Sequence, residues 1–273
     1  MPGVRFRSLL VVVALIGVLQ VVTRGDLTGD VTGNTAAPAY SAAGLVQAAA
    51  QVSEPLSPNS IATLYGANLS FNTHSLGPED LSGGELPLEL EGVSVVVDYI
   101  PVPLLFVSPG QINFLIPYNI TGNTATLFVL RQNLAGPVIT VPLVLASPSF
   151  FTWNVNLAIA THVDGSLVSP SSPASAGEIV VFYAAGLGRT SPDILTGELV
   201  TRAATLLYIS QLQVLFNGVP SDPRNIYYAG VTPGFAGLYQ INIRLPSPLP
   251  SNPSVQIGMG AQVSPAGLYL PTF

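Results

Sequence analysis

A chain of 273 residues with a formal charge of −6, 48% hydrophobic but only 8% charged residues, no lysine and no cysteine leaves several classes of protein out. With no lysine and only scattered arginines there is no basic stripe to neutralise a phosphate backbone, so nucleic acid is not an expected partner. Without cysteine there is no disulfide framework, thiolate metal site, cysteine nucleophile or lipid-modified cysteine.

The chain opens on MPGVRFR, then the apolar run SLLVVVALIGVLQVV over 8–22, then Thr23, Arg24 and Gly25. A short basic start followed by an apolar run of this length reads as an export signal, because a membrane span usually needs about 20 apolar residues. Residues 1–25 are therefore assigned as a signal peptide or, left uncleaved, a membrane anchor. Thr23-Arg24-Gly25 and Thr35-Ala36-Ala37 are the two cleavage points on offer. Membrane association is expected only through this segment, and the rest is expected outside the cytoplasm: extracellular, at the cell surface or periplasmic.

Residues 26–56 read as a linker and lead-in, polar and rich in Gly and Thr at first, then rich in Ala. DLTGDVTGN spaces oxygen-bearing side chains at every second position, but it lacks the D-x-D-x-D-G core and later glutamate of an EF-hand, so linker is the better reading.

Beyond 56 the chain repeats itself. SPNSIATLYGANL at 57–69 aligns without gaps on SAGEIVVFYAAGL at 175–187, and VVVDYIPVP at 95–103 matches VLFNGVPSDP at 214–223. SPGQINFLIP at 108–117 matches GLYQINIRLP at 237–246, and TGNTATLFVLRQNLAGPVITVPL at 121–143 runs parallel to SNPSVQIGMGAQVSPAGLYLPTF at 251–273. Four matches in one order mean an internal duplication. The units are set at 57–150 and 151–273, each near the roughly 100 residues of an immunoglobulin-like sandwich. Short apolar runs bounded by Gly, Pro and Asn predict strands, so the fold class is all-β: two tandem immunoglobulin-like β-sandwiches.

Alternation places Ile112, Phe114 and Ile116, and equally Ile241, Ile243 and Leu245, on core-facing sides of their strands. Gln111, Asn113, Gln240 and Asn242 then point away from the core. The second unit runs 20 residues from Pro220 to Gln240 where the first runs 10 from Pro101 to Gln111. The longer stretch carries IYYAGVTPGFAGLY, and Tyr227, Tyr228, Phe235 and Tyr239 are the candidate ligand-binding residues, suited to stacking on a sugar ring or a partner surface. Strand alternation sends Tyr227 and Tyr228 to opposite faces. Phe150, Phe151 and Trp153, at the junction of the units, are expected to pack the interface between them.

SPNSIATLYGANL, LPLELEGVSVVVDYIPVPLLFVSPGQINFLIP, SPSFFT, DGSLVSPSSPASAGEIVVFYAAGLG and IYYAGVTPGFAGLYQINIRLP together resemble the Solibacter-type C-terminal paralogous domain of secreted acidobacterial proteins, a family of uncharacterised function. The resemblance covers about 57–273. Each half is also loosely similar to IPT/TIG immunoglobulin-like domains: Gly66, Asn68 and Leu69 match their Gly-x-Asn-Leu turn, and Ala184, Gly186 and Leu187 match it in part. The resemblance implies an exported all-β module with no activity to carry over. That module normally sits behind other domains, so here the function is expected to belong to the module itself.

No catalytic residue, metal ligand set or cofactor is assigned. His162-Val163-Asp164 puts a base and an acid on one side of a strand, which leaves a Ser-His-Asp hydrolase as the least favoured reading, without a G-x-S-x-G elbow. Glu79, Asp80, Glu85, Glu89 and Glu91 read as a solvated loop rather than a carboxylate or calcium site. The expected function is an exported, non-catalytic module that binds or adheres to an extracellular partner, a glycan or a surface protein. The alternative is a structural, sorting or assembly role in the cell envelope.

Overall fold

A computed structural model describes residues 36–53, 55–154 and 156–273. The export-signal assignment therefore lies outside the described residues. The described chain is nearly all strand and turn, in two sandwiches of two sheets each. In the first, one sheet runs Ala39–Gln47, Ile61–Ala67, Gln111–Leu115, Leu104–Val107, His74–Ser75; its partner runs Ile139–Pro142, Thr124–Arg131, Val93–Val97, Ile100–Val102. In the second, Ile179–Ala185, Tyr239–Arg244 and Ile226–Val231 form the heart of one sheet, and Ser254–Met259, Leu212–Phe216 and Val219–Pro220 the heart of the other. These are the immunoglobulin-like sandwiches that the duplicated strand pattern predicts.

The duplication extends to register. Ile61, Thr63 and Tyr65 pair with Leu115, Asn113 and Gln111, while Ile179, Val181 and Tyr183 pair with Arg244, Asn242 and Gln240. Between them fall the core pairs, so Ile112, Phe114, Ile241 and Ile243 are fully buried, with Ile116 and Leu245 only 1% exposed. Facing outward, Gln111 Nε2 donates to Asn113 Oδ1 (2.9 Å) and Gln240 Nε2 donates to Asn242 Oδ1 (3.1 Å), so each amide repeats the other. The hairpin tips correspond as well: Asp98-Tyr99 and Asn217-Gly218 all have positive φ, the pattern of the tight hairpin turns whose twist matches the strands.

The copies also share an irregularity. The third strand of each trio bulges against the second, between Leu104 and Phe106 in one unit and between Ile226 and Tyr228 in the other. Leu105 and Tyr227 are the extra residues. A bulge puts two residues opposite one partner and resets the alternation. Ile226 faces the core, Ala229 does so again, and Tyr228 stands opposite the outward Asn242. The expectation that Tyr227 and Tyr228 face opposite ways is thereby corrected, because both belong to the outer side.

Two unit boundaries also shift. The stretch assigned to linker and lead-in contributes the edge strand Ala39–Gln47, which pairs with Ile61–Ala67. Its sequence, AYSAAGLVQ, is poor in strand-favouring residues, and tertiary contacts hold it: the Tyr40 hydroxyl accepts from Val129 N and donates to Pro137 O, both at 2.7 Å. At the other boundary Ser149–Phe150, read as the end of the first unit, pairs with Ala184 and Ala185 of the second. Phe150 stacks on Phe182 at 4.7 Å inside the second core, so of the three junction aromatics only Phe151 and Trp153 pack between the units.

That junction is an apolar cluster of its own, with Ile61, Leu86 and Leu115 from the first unit against Phe151, Tyr183, Ala236 and Leu238 from the second. Backbone bonds flank it: Leu86 N donates to Gly197 O and Leu199 N to Gly84 O, both at 3.0 Å. Gly237 sits at φ +71, where a Cβ would come within 2.4 Å of Leu115 and 2.9 Å of Ile61. Gly237→Ala is therefore expected to destabilise the junction by at least about 1–2 kcal/mol from the left-handed backbone alone. Thermal unfolding should show a drop of about 2–4 °C per kcal/mol, and an unchanged melting temperature would contradict the packing described.

Candidate functional site

The outer side of the sheet is used differently in the two copies. In the first unit Ile61, Leu105 and Leu115 are packed into the junction. In the second unit the corresponding residues are Ile179, Tyr227 and Arg244, and here the face is open: Tyr227 is 55% exposed. A shallow groove of ≈ 280 Å³ runs over it, lined by Thr161, His162, Ile179, Val181, Tyr227, Gln240 and Asn242 among others. That is slightly below the roughly 300–1,000 Å³ that small-molecule seats occupy. A smaller recess of ≈ 210 Å³ opens between the sheet edges of the first unit, but alanine, leucine, valine and proline line it almost entirely, with Ser53 its one polar side chain.

The groove brings together an apolar floor, an aromatic wall and a pair of amides. Ile179 and Val181 are half-buried. Because Gln240 Nε2 is spent on Asn242 Oδ1, the pair offers Gln240 Oε1 as an acceptor and Asn242 Nδ2 as a donor, neither engaged within the described residues. Tyr227 is held upright by Arg244, whose Nε donates to its hydroxyl at 2.9 Å while the guanidinium lies 5.9 Å from the ring centre.

Of the four aromatic residues singled out by the sequence, the structure brings only Tyr227 into this groove. Tyr228 is half-buried on the same outer side and donates to Val231 O at 2.8 Å. Phe235 packs against the junction cluster, drawn there by the seven-residue turn that continues the hairpin across the first unit's apolar face. Tyr239 is fully buried and its hydroxyl donates to Gly188 O; burial pushes its pKa well above the ordinary tyrosine value. Phe235 and Tyr239 are thus corrected from ligand candidates: Phe235 is partly buried where this stretch seals the two units together, and Tyr239 lies in the second unit's own core. Gln240, Asn242 and Arg244 were not identified from the sequence as site residues. The signal for them lies in the aligned copies, where Leu115 becomes Arg244; that Leu105 corresponds to Tyr227 is given by the shared bulge.

His162 does not pair with Asp164, whose carboxylate instead accepts from Ser166 N (2.9 Å) and Oγ (2.7 Å). Nδ1 of His162 meets Glu178 Oε1 at 2.5 Å, and Nε2 meets the Ser172 carbonyl at 3.1 Å and its Oγ at 3.3 Å. Burial works against the charged ring, but the Glu178 hydrogen bond, the Ser172 carbonyl and the Glu178 and Asp164 charges outweigh it and hold the pKa above 6.5. A carbonyl can only accept, so Nε2 carries a proton that faces it. The Ser172 carbonyl lies nearer Nε2 than the Ser172 hydroxyl does, and the acid on Nδ1 is Glu178, so the Ser-His-Asp set suggested by the spacing is not formed. His74 is held in the same way, with Nε2 on Asp80 (2.9 Å) and Nδ1 on Glu91 (3.1 Å). Two members of the acidic loop are therefore spent on a histidine.

No family model matches the chain, and no curated protein does. Solved structures that resemble it include the surface glycan-binding protein PbSGBP-B from Prevotella bryantii, 11% identical over 86% of this chain and 42% of that one, with a TM-score of 0.28. SGBP-B from a complex xyloglucan utilization locus in Bacteroides uniformis is 10% identical over 86% of this chain and 50% of that one, at 0.27. Domains 5–6 of the S-layer protein SbsC are 8% identical over 86% of this chain and 98% of that one, also at 0.27. The chain thus spans half or less of either glycan-binding protein, and likeness this weak carries no functional argument.

Both histidines have folded pKa values raised above 6.5, so their stabilising effect is present below that value and is lost as pH rises through the folded pKa. The melting temperature is expected to fall as pH is raised from 6 to 8, and the double substitution His74→Ala, His162→Ala should flatten that dependence. A slope that survives both substitutions would show that other groups cause it.

Proposed function

We propose that the chain is an exported, non-catalytic binding module whose ligand seat is the open outer face of the second unit, and that the ligand is a saccharide. The observation that carries this reading is the pairing of the exposed Tyr227 ring with the free acceptor and donor of Gln240 and Asn242 over an apolar floor. Sugar rings present just these needs: an apolar C–H face that stacks on an aromatic ring, and hydroxyls that both donate and accept. The non-catalytic half of the proposal is supported by the surroundings of His162, whose Nε2 meets the Ser172 carbonyl at 3.1 Å, nearer than the hydroxyl at 3.3 Å, while Asp164 is engaged by Ser166. Export is supported by the basic and apolar start of the sequence.

Tyr227→Ala is expected to weaken binding to a retained polysaccharide by at least about tenfold, or roughly 1.4 kcal/mol, with the fold intact. Leu105→Ala, the same bulge position in the first unit, should leave affinity unchanged. Affinity electrophoresis of both variants beside the unsubstituted chain reads the difference, and equal retardation of all three would remove the groove as the seat.

A further inference from the structure

We propose that the groove is selective for an acidic saccharide, with a sugar carboxylate engaging Arg244 at its rim. This rests on the groove being a saccharide seat, as argued above. Arg244 closes the strand Tyr239–Arg244, is exposed, and shares the outer face with Asn242 and Gln240. Its partners are all uncharged: Nε donates to the Tyr227 hydroxyl at 2.9 Å and Nη1 to Gly177 O at 3.3 Å. Nη2 has no partner among the described residues. Arg189 and Arg224, by contrast, are paired with Asp193 and Asp222, and Arg131 is fully buried, donating to the carbonyls of Asn68 and Ala36; Arg202 is exposed as well, but it does not line the groove.

The nearby carboxylates do not neutralise it. Glu178 is spent on His162 and on Ser175 N, and Asp164 on Ser166. In a chain of net charge −6 with no lysine, Arg244 thus stands beside the exposed Tyr227 of the groove with no carboxylate partner among the described residues. The first unit has Leu115 at this position, buried in the junction, so the charge is found only on the copy of the face that is open. Tyr227 fixes the guanidinium through Nε, which leaves its far edge to meet a carboxylate in the geometry that arginine favours.

The test is affinity electrophoresis of the full chain in gels containing polygalacturonate, alginate or hyaluronate, beside their methyl esters and the neutral polymers dextran, mannan and hydroxyethylcellulose. Retardation is expected in at least one acidic polymer, weakened about tenfold or more by esterification and by Arg244→Gln, and reduced by salt. Tyr227→Ala should weaken it as well. Retardation that is indifferent to esterification and to Arg244→Gln, or that occurs only with neutral polymers, overturns the charge selectivity and leaves the saccharide seat standing. No retardation by any polymer overturns both. Arg244→Gln should melt within a degree or two of the parent chain, since the residue lies outside both cores.

Discussion

A one-residue slip between Ile61–Ala67 and Gln111–Leu115, or between Ile179–Ala185 and Tyr239–Arg244, would turn Ile112 or Ile241 out of its core and drive Asn113 or Asn242 in. The register of this strand pair is the constraint on which the rest of the molecule depends, because side chains alternate with a period of two and one face of each sheet is buried. It is fixed in both copies by the same means: three fully or nearly fully buried apolar residues on the inner side, and a Gln-Asn amide bond on the outer side. The bulge in the neighbouring strand then sets which residues flank that amide pair.

With inner faces committed to packing, only the outer faces were free to diverge. In the first copy Ile61, Leu105 and Leu115 make the face apolar, and the longer hairpin turn of the second unit, with Phe235, Gly237 and Leu238, closes over it. In the second copy the corresponding positions carry Ile179, Tyr227 and Arg244, and nothing among the described residues covers them. One surface of an ancestral unit has thus become an internal joint and its duplicate an external groove. The joint fixes the groove in place, since Tyr183 extends from the junction cluster into the groove's lining.

Most of the inner architecture was legible in the sequence. The gapless alignment of SPNSIATLYGANL on SAGEIVVFYAAGL foretold equal registers, and the alternation in QINFLIP and QINIRLP foretold which residues are buried. The strand Ala39–Gln47 was not legible, because its alanines have no intrinsic strand preference and it is held through Tyr40 and pairing with Ile61–Ala67. Nor was the site, beyond Tyr227. A bulge cannot be read from alternation, so the sides of Tyr227 and Tyr228 were misjudged. Phe235 looks like a display residue in a glycine-rich stretch, and only the tertiary structure shows that the stretch is packed against another unit, whereas Tyr239 falls in phase with the core-facing Ile241 and Ile243. The spacing of His162 and Asp164 allows a catalytic pair only as the least favoured reading, and Glu178, 16 residues on, is the acid that the fold brings to the ring.

The division of labour between the two faces is most directly tested by backbone amide shifts of the isotope-labelled chain during titration with an oligosaccharide that it retains. Saturable shifts are expected along Ile179–Tyr183 and Gln240–Arg244 and around Tyr227, with the corresponding amides of Ile61–Tyr65, Leu105 and Gln111–Leu115 unmoved. Shifts concentrated on the first unit, or spread over the sheet edges with the groove silent, would contradict that division.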